Sequence, residues 1–235
     1  MKTRDVLDRL ARREDAEHQQ AVFRLIAVTC GLGYVIWLKH FHFEEFIQSS
    51  IFLQSVGLAS VAFSLGIFYH IINHPEINVV RRFVGMVHDV TVITIFFYFG
   101  NENAALFLFV YPFSAIGNGF RYGEKWLLIS ALLGAAGLAV LLAKSEYWMN
   151  IPFVSAGLAI NFLAVVTYTG LLLRKLRSAA AKLEELATHD VLTGLPNRRL
   201  IMEHLRHAIA VNRRHRRTVT CVYFDLDGFK VINDM

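Results

Sequence analysis

The feature that most constrains this chain is a series of long apolar runs between residues 21 and 173, separated by short polar turns. A helix needs about 20 mostly apolar residues to cross a bilayer, because every backbone polar group must find its partner inside the segment. Six runs meet or approach that length: residues 21–38, 49–72, 83–99, 104–117, 126–143 and 151–173. The fourth is short and contains Pro112, so length alone leaves five or six crossings open. Overall, 55% of the 235 residues are hydrophobic and 18% are charged, whereas a soluble domain has roughly a quarter charged.

The placement of Lys and Arg favours six. Lys2, Arg4, Arg9, Arg12 and Arg13 precede the first run, Arg81 and Arg82 follow the second, Arg121 and Lys125 follow the fourth, and Arg174, Lys175 and Arg177 follow the sixth. The alternate turns hold Lys39, no cation in residues 100–103, and Lys144. Cations therefore fall on one side at every second turn, which places both termini in the cytoplasm. The formal charge of +5 and pI near 9.3 are explained by this topology without a nucleic-acid partner. Trp37, Tyr98, Tyr147 and Trp148 fall at expected outer ends, where amphipathic rings settle. Cys30 and Cys221 imply no disulfide framework.

The expected organisation is a cytoplasmic segment over residues 1–20, a six-helix transmembrane sensor over 21–173, a helical linker over 174–187 and an α/β segment over 188–235. Leu172, Leu176, Ala179, Leu183 and Leu186 alternate spacings of four and three, as in a coiled-coil stalk or an ordinary amphipathic helix. Asn197 can cap a helix from Arg198 to about Val211. Arg213, Arg214, His215, Arg216 and Arg217 form a basic connector, either solvated or facing anionic lipid. Residues 218–224 are rich in β-branched and aromatic side chains and are expected to form a strand.

That strand ends in Asp225, Leu226, Asp227 and Gly228. Carboxylates at a strand end beside a glycine turn can hold a hard divalent cation, although turns and caps use the same residues. The run Asp190-Val191-Leu192-Thr193-Gly194-Leu195-Pro196-Asn197-Arg198-Arg199 resembles the opening motif of GGDEF domains, the bacterial diguanylate cyclases. The run Asp225-Leu226-Asp227-Gly228-Phe229-Lys230-Val231-Ile232-Asn233-Asp234 resembles their next motif. This resemblance implies a palm-like α/β domain, truncated here, that joins two GTP molecules into cyclic di-GMP as a homodimer with Mg²⁺ or Mn²⁺. It implies Asp225 and the Leu226 carbonyl as metal ligands, Phe229 and Lys230 as phosphate contacts, Asn233 as a guanine contact and Asp227 as structural. The Gly-Gly-[Asp/Glu]-Glu-Phe loop is not among the 235 residues, so no catalytic set is complete and the chain is expected to be inactive by itself. A non-catalytic receptor or dimerisation module, or a longer protein with a downstream cyclic di-GMP phosphodiesterase domain, are the alternatives.

Ionisable residues inside a bilayer are costly and mark functional candidates. Arg24, Asp89, Asn118 and Arg121 form the expected sensor set, with Arg24 either paired to Asp89 or snorkelling to the inner interface. The stretch from Gly117 to Gly123 is read as a loosened helix end with free amides beside Arg121, suited to a carboxylate or phosphate, or as a plain inner turn. It resembles the membrane input of bacterial kinases that sense diffusible fatty-acid signals, which implies a fatty-acid-like ligand. His40, His42, His70, His74 and His88 are candidate metal or haem ligands, although interfacial histidines without ligands are commoner. The expected location is the bacterial inner membrane.

Overall fold

The computed structural model describes residues 16–41, 47–214 and 218–224. It is helical, with α1 over Glu17–Phe41, α2 over Ile47–Asn73, α3 over Val79–Gly100 and a 3-10 segment over Asn101–Phe107. Then come α4 over Val110–Tyr122, α5 over Glu124–Lys144, α6 over Glu146–Asn150, α7 over Pro152–Thr188 and α8 over Arg198–Arg214. The described residues form two compact units, divided between Lys175 and Leu176.

In the first unit, five helical stretches among the described residues are long and apolar enough to cross a membrane: Glu17–His40, Ser50–Asn73, Val79–Phe107, Glu124–Lys144 and Pro152–Thr188. The expected fourth crossing over residues 104–117 is not one helix. The chain leaves α3 through Asn101, the single described non-glycine residue with positive φ (47°), and winds as a 3-10 turn before α4 begins. Pro112 is not the break. It sits in the first turn of α4, where a missing N–H costs nothing because no helical acceptor precedes it. The broken backbone is partly exposed, with Ala104 buried and the Tyr34 hydroxyl donating to the Asn103 carbonyl at 2.9 Å.

The core of this unit lies where α3, α4, α5 and α7 meet. Phe97, Tyr111, Leu138, Leu141, Trp148, Leu158 and Phe162 are buried there. Helices in lipid gain little from excluding water and are held by close packing, which small residues permit. Gly137 shows this: a Cβ there would lie 2.6 Å from Thr94 Oγ1 and 2.8 Å from Val90 Cγ1. Trp148 departs from its expected place in an outer aromatic belt. It is fully buried and its indole donates to the Phe97 carbonyl at 3.1 Å, because the short α6 turns inward between α5 and α7.

At one end of the unit, buried Arg81 ties three segments. Its guanidinium donates to Glu17 at the start of α1, to the His74 carbonyl (3.1 Å) and to the Glu76 carbonyl (2.8 Å), and meets His70 Nδ1 at 3.0 Å. Arg82 donates to the other Glu17 oxygen at 2.7 Å and lies 4.4 Å from the Tyr122 ring centroid.

In the second unit, residues 188–197 fold into a compact turn. The Asp190 carboxylate accepts from the Thr193 amide (2.9 Å), the Thr193 hydroxyl (2.8 Å) and the Leu192 amide (3.2 Å). Gly194 takes φ of 69°, a left-handed conformation that glycine adopts without a steric penalty. Asn197 caps α8 by accepting from the Leu200 amide at 3.1 Å, while its amide donates to the Ala187 carbonyl at 2.9 Å. Residues 218–224 carry no strand. A strand exists only through pairing, and the one β-bridge among the described residues joins His189 to Pro196.

Candidate functional site

A cavity of about 490 Å³ lies between α1, α2, α3 and α4. Its wall is sorted by polarity. Val35, Leu53, Phe96, Phe97, Phe107 and Phe109 line one part, whereas Gln20, Arg24, His88, Asp89 and Arg121 line the other. The sorting follows from chain direction. The polar residues of α1 and α3 fall in the first half of each helix and that of α4 in its last turn, so two ascending helices and one descending helix bring them to the same end.

The structure brings Arg24 and Asp89 together. Arg24 Nε donates to Asp89 Oδ1 and Nη2 to Asp89 Oδ2 at 2.9 Å. The two side chains are 5% and 11% exposed, and this two-point geometry is the strong form of an Arg–carboxylate pair. His88 Nδ1 lies 3.4 Å from Asp89 Oδ1, and its ring stacks on Phe63 at 4.0 Å. Gly85 makes the pair possible, since a Cβ there would lie 2.5 Å from Arg24 Nη2.

Arg121 lies on the same wall but outside that pair. Its guanidinium sits 5.6 Å from the Phe23 ring centroid, and among the described residues no carboxylate reaches it. The stretch from Gly117 to Gly123 is not a loosened end with free amides. It continues α4 as helix to Tyr122, and Gly123 alone breaks it with φ of 97°. Gly117 instead clears space for Arg121, whose Nη1 would be 2.7 Å from a Cβ at 117.

Asn118 faces away from the large cavity. It is fully buried and donates to Ser130 Oγ on α5 at 2.9 Å. With Gln20, Arg24 and Glu17 it borders a separate pocket of about 20 Å³, room for about one water. Its Oδ1 and Gln20 Oε1 accept no bond among the described residues. The structure thus places Arg24, Asp89 and Arg121 on one cavity and Asn118 behind it. Sequence reading missed Gln20, His88 as a partner of Asp89, and the ring of phenylalanines.

The expected metal and nucleotide residues Asp225, Leu226, Phe229, Lys230 and Asn233 lie outside the described residues, as do Asp227, His42 and the expected strand's end. Among the described residues no group of three or more His, Cys, Asp or Glu side chains is placed to hold a metal ion. Asp190 can be characterised. Its carboxyl is held below the usual carboxylate range by bonds from the Thr193 amide and hydroxyl and from the Leu192 amide, against a smaller opposing effect of desolvation.

Known proteins match both the helical block and the residues that follow it. Residues 187–235 match the family described as diguanylate cyclase, GGDEF domain. The sensory/regulatory protein RpfC of Xanthomonas campestris is 30% identical over 172 residues, covering 73% of this chain and 23% of that protein. A match of that length lies mostly ahead of residue 187, in the helical block. The bifunctional diguanylate cyclase/cyclic di-GMP phosphodiesterase MucR of Pseudomonas aeruginosa is 32% identical over 45% of the chain and 16% of its own length. The probable diguanylate cyclase DgcC of Escherichia coli is 34% identical over 39% of the chain and 24% of its own. The chain thus spans under a quarter of each of these relatives. No solved structure matches. Residues 187–235 carry the sequence of the GGDEF family of diguanylate cyclases, behind a helical block similar to part of a bacterial sensory/regulatory protein.

Proposed function

We propose that this chain belongs to a membrane-bound sensory diguanylate cyclase, which condenses two GTP into cyclic di-GMP and two diphosphates under control of its helical block. The observation that carries the reading is the GGDEF match at residues 187–235, joined to five membrane-length helical stretches. Asp225 and the Leu226 carbonyl would hold Mg²⁺ or Mn²⁺, which supplies charge neutralisation at the phosphates when bound. Phe229 and Lys230 would hold phosphate and Asn233 guanine. The reaction needs two GTP-loaded domains, and the exposed Leu176, Leu183 and Leu186 on α7 supply a face for a homodimeric stalk.

Six crossings of the inner membrane, with both termini cytoplasmic, remain our reading of the topology. The seven-residue 3-10 segment rises about 14 Å at roughly 2 Å per residue. The 13-residue α4 rises about 20 Å at 1.5 Å per residue. Together they match a hydrocarbon core of about 30 Å, so a discontinuous fourth crossing is long enough. The alternating Lys and Arg pattern supports that count. Arg24, Asp89, Asn118 and Arg121 are the sensor residues in this reading, and a fatty-acid-like amphiphile is the input.

The test is direct. The gene downstream of the Met235 codon is sequenced, and the 235-residue chain and any longer product are assayed for cyclic di-GMP formation from GTP. An intact signature loop with activity only in the longer product supports the reading. A stop codon leaves a non-catalytic membrane receptor or dimerisation module, and product from the 235-residue chain overturns its expected inactivity. Similarity to the bifunctional MucR favours a second reading, in which a downstream phosphodiesterase domain makes hydrolysis the net reaction.

A further inference from the structure

We propose that the side of α7 around Asn161 is a membrane interface for a second copy of this chain, closed by reciprocal hydrogen bonds between the two Asn161 amides. The inference rests on the reading of the chain as part of a dimeric cyclase and names the surface through which its two copies meet in the bilayer.

Asn161 lies midway along the apolar run 151–173, roughly 15–18 Å from either end at 1.5 Å per residue. That is near the centre of a hydrocarbon core of about 30 Å. Its side chain is exposed and makes no hydrogen bond among the described residues. The exposed hydroxyls of Ser55 on α2 and Thr91 on α3 instead bond back to the carbonyls of Ile51 (2.9 Å) and Val87 (2.8 Å), one turn earlier. An amide has two donor hydrogens and an acceptor oxygen to satisfy. At this depth there is no lipid head group to meet them, and the side chain is too short to snorkel as Lys and Arg do. Polar groups so placed are satisfied across helices.

The packed side of α7 carries Ser155, Leu158, Phe162, Thr169 and Leu173. At about 100° per residue, it is centred about 100° around the helix from Asn161, so Asn161 points away from its own bundle. One turn to either side stand Gly157 and Ala164. A Cβ at 157 would meet nothing within 4 Å, so a neighbouring helix has room to approach closely. The same side runs on toward the stalk, since Leu172, Leu183 and Leu186 fall within about 40° of Asn161 along one unbroken helix. Two copies that pair through those leucines bring their Asn161 side chains together. Both copies cross the bilayer in the same sense, so a two-fold axis along the membrane normal sets Asn161 against its counterpart at equal depth. Each amide then donates to the other's oxygen. An unlike partner would need an amide of its own at that depth, whereas a second copy supplies it by symmetry.

The experiment uses the full 235-residue chain in phosphatidylcholine bilayers, with Cys30→Ser and Cys221→Ser as the background. Single cysteines are introduced by Tyr168→Cys and by Leu163→Cys and oxidised with copper phenanthroline. Tyr168 is 67% exposed and lies within about 20° of Asn161 around α7. Leu163 is 68% exposed but lies about 160° away. A disulfide needs the two Cα atoms within about 7 Å, so linked dimer is expected from position 168 at about fivefold or more the yield from 163. Association is measured in parallel by Förster transfer between copies labelled at the N-terminus, diluted with lipid. Asn161→Leu removes no bond within the protomer and is expected to weaken association about threefold to tenfold, as loss of an interhelical hydrogen bond in lipid implies. Asn161→Gln, which retains an amide, is expected to keep most of it. Equal crosslinking at 163 and 168 overturns the proposal. So does unchanged association in Asn161→Leu, which would leave the stalk alone to hold the two copies. A wild-type chain that stays monomeric at every lipid dilution overturns it while leaving the cyclase reading intact, since that reading is judged by cyclic di-GMP formation from GTP.

Discussion

Replacing Asp89 by asparagine leaves the Arg24 guanidinium buried without its counter-charge. Breaking a buried pair from one side costs about 3 kcal/mol or more, whereas removing both charges costs much less. Asp89→Asn is therefore expected to lower the thermal unfolding midpoint of the detergent-solubilised chain, and adding Arg24→Gln is expected to restore much of the loss. Asp190 gives a prediction of a different kind. Its folded pKa is depressed by the Thr193 and Leu192 bonds, so its contribution to the turn is present above the ordinary carboxylate range. That contribution is lost as pH falls through the folded value. Amide exchange at Leu192 and Thr193, followed on lowering pH, is expected to rise only below the usual Asp range, and Asp190→Asn is expected to remove the step. At this scale the sequence was informative where opposite charges stood inside apolar runs, as with Arg24 and Asp89. It was silent on Glu17, which sits at the edge of a polar segment and gives no sign that Arg81 and Arg82 converge on it. Trp148 misled because an indole near a helix end suits an interface and a core equally well.

Elements were legible where a run was long and unbroken. The first, second and fifth runs appear as α1, α2 and α5, longer at both ends than the apolar residues alone indicate, and the sixth as α7, longer at its C-terminal end, because polar caps and turns extend a helix past its hydrocarbon part. The third does the same at its start and gives way to the 3-10 segment at its end. The fourth run could not be resolved from sequence. Its residues are apolar enough to cross, yet Asn101 at positive φ starts a 3-10 turn in which the Asn103 carbonyl is met by Tyr34, remote in sequence. Residues 218–224 have strand composition, but composition supplies no pairing partner. Contact between α3 and α5 depends on Gly137, and Gly137→Leu drives a side chain into Val90 and Thr94. Overpacking of this kind costs about 1–3 kcal/mol. The variant is expected to show a lower unfolding midpoint and lower yield in the membrane fraction, while Gly157→Leu, at an open position, is expected to leave both near wild type.

For the molecule as a whole, α7 is the element that belongs to both units, running from Pro152 to Thr188 without interruption. If control passes along this helix as rotation or register, the length of its last turns matters as much as its composition. Inserting four residues near Lys182 turns everything beyond by roughly 40°, and inserting seven returns it to within about 20° of its original phase, since each residue adds about 100°. In a full-length, catalytically active protein, four inserted residues are expected to change cyclic di-GMP output several-fold and seven to restore most of it. Equal output from both would argue against transmission through this helix. Membrane character and the GGDEF motifs could both be read before any coordinates, because one depends on run length and the other on contiguous residues. The cavity could not be read, because it is assembled from four elements and no short stretch of sequence contains it.

The guanidinium of Arg81 has a consequence for how the turn between α2 and α3 tolerates change. It holds that turn by the carbonyls of His74 and Glu76, groups that every amino acid supplies. Side-chain identity at these positions is therefore nearly free as far as this grip is concerned, while the number of residues is not. Surface turns usually accept insertions more readily than the elements they join, and here the order is reversed. Substitutions can accumulate in the turn, but an added residue would pull its carbonyls off the Arg81 guanidinium and leave it to Glu17 and His70.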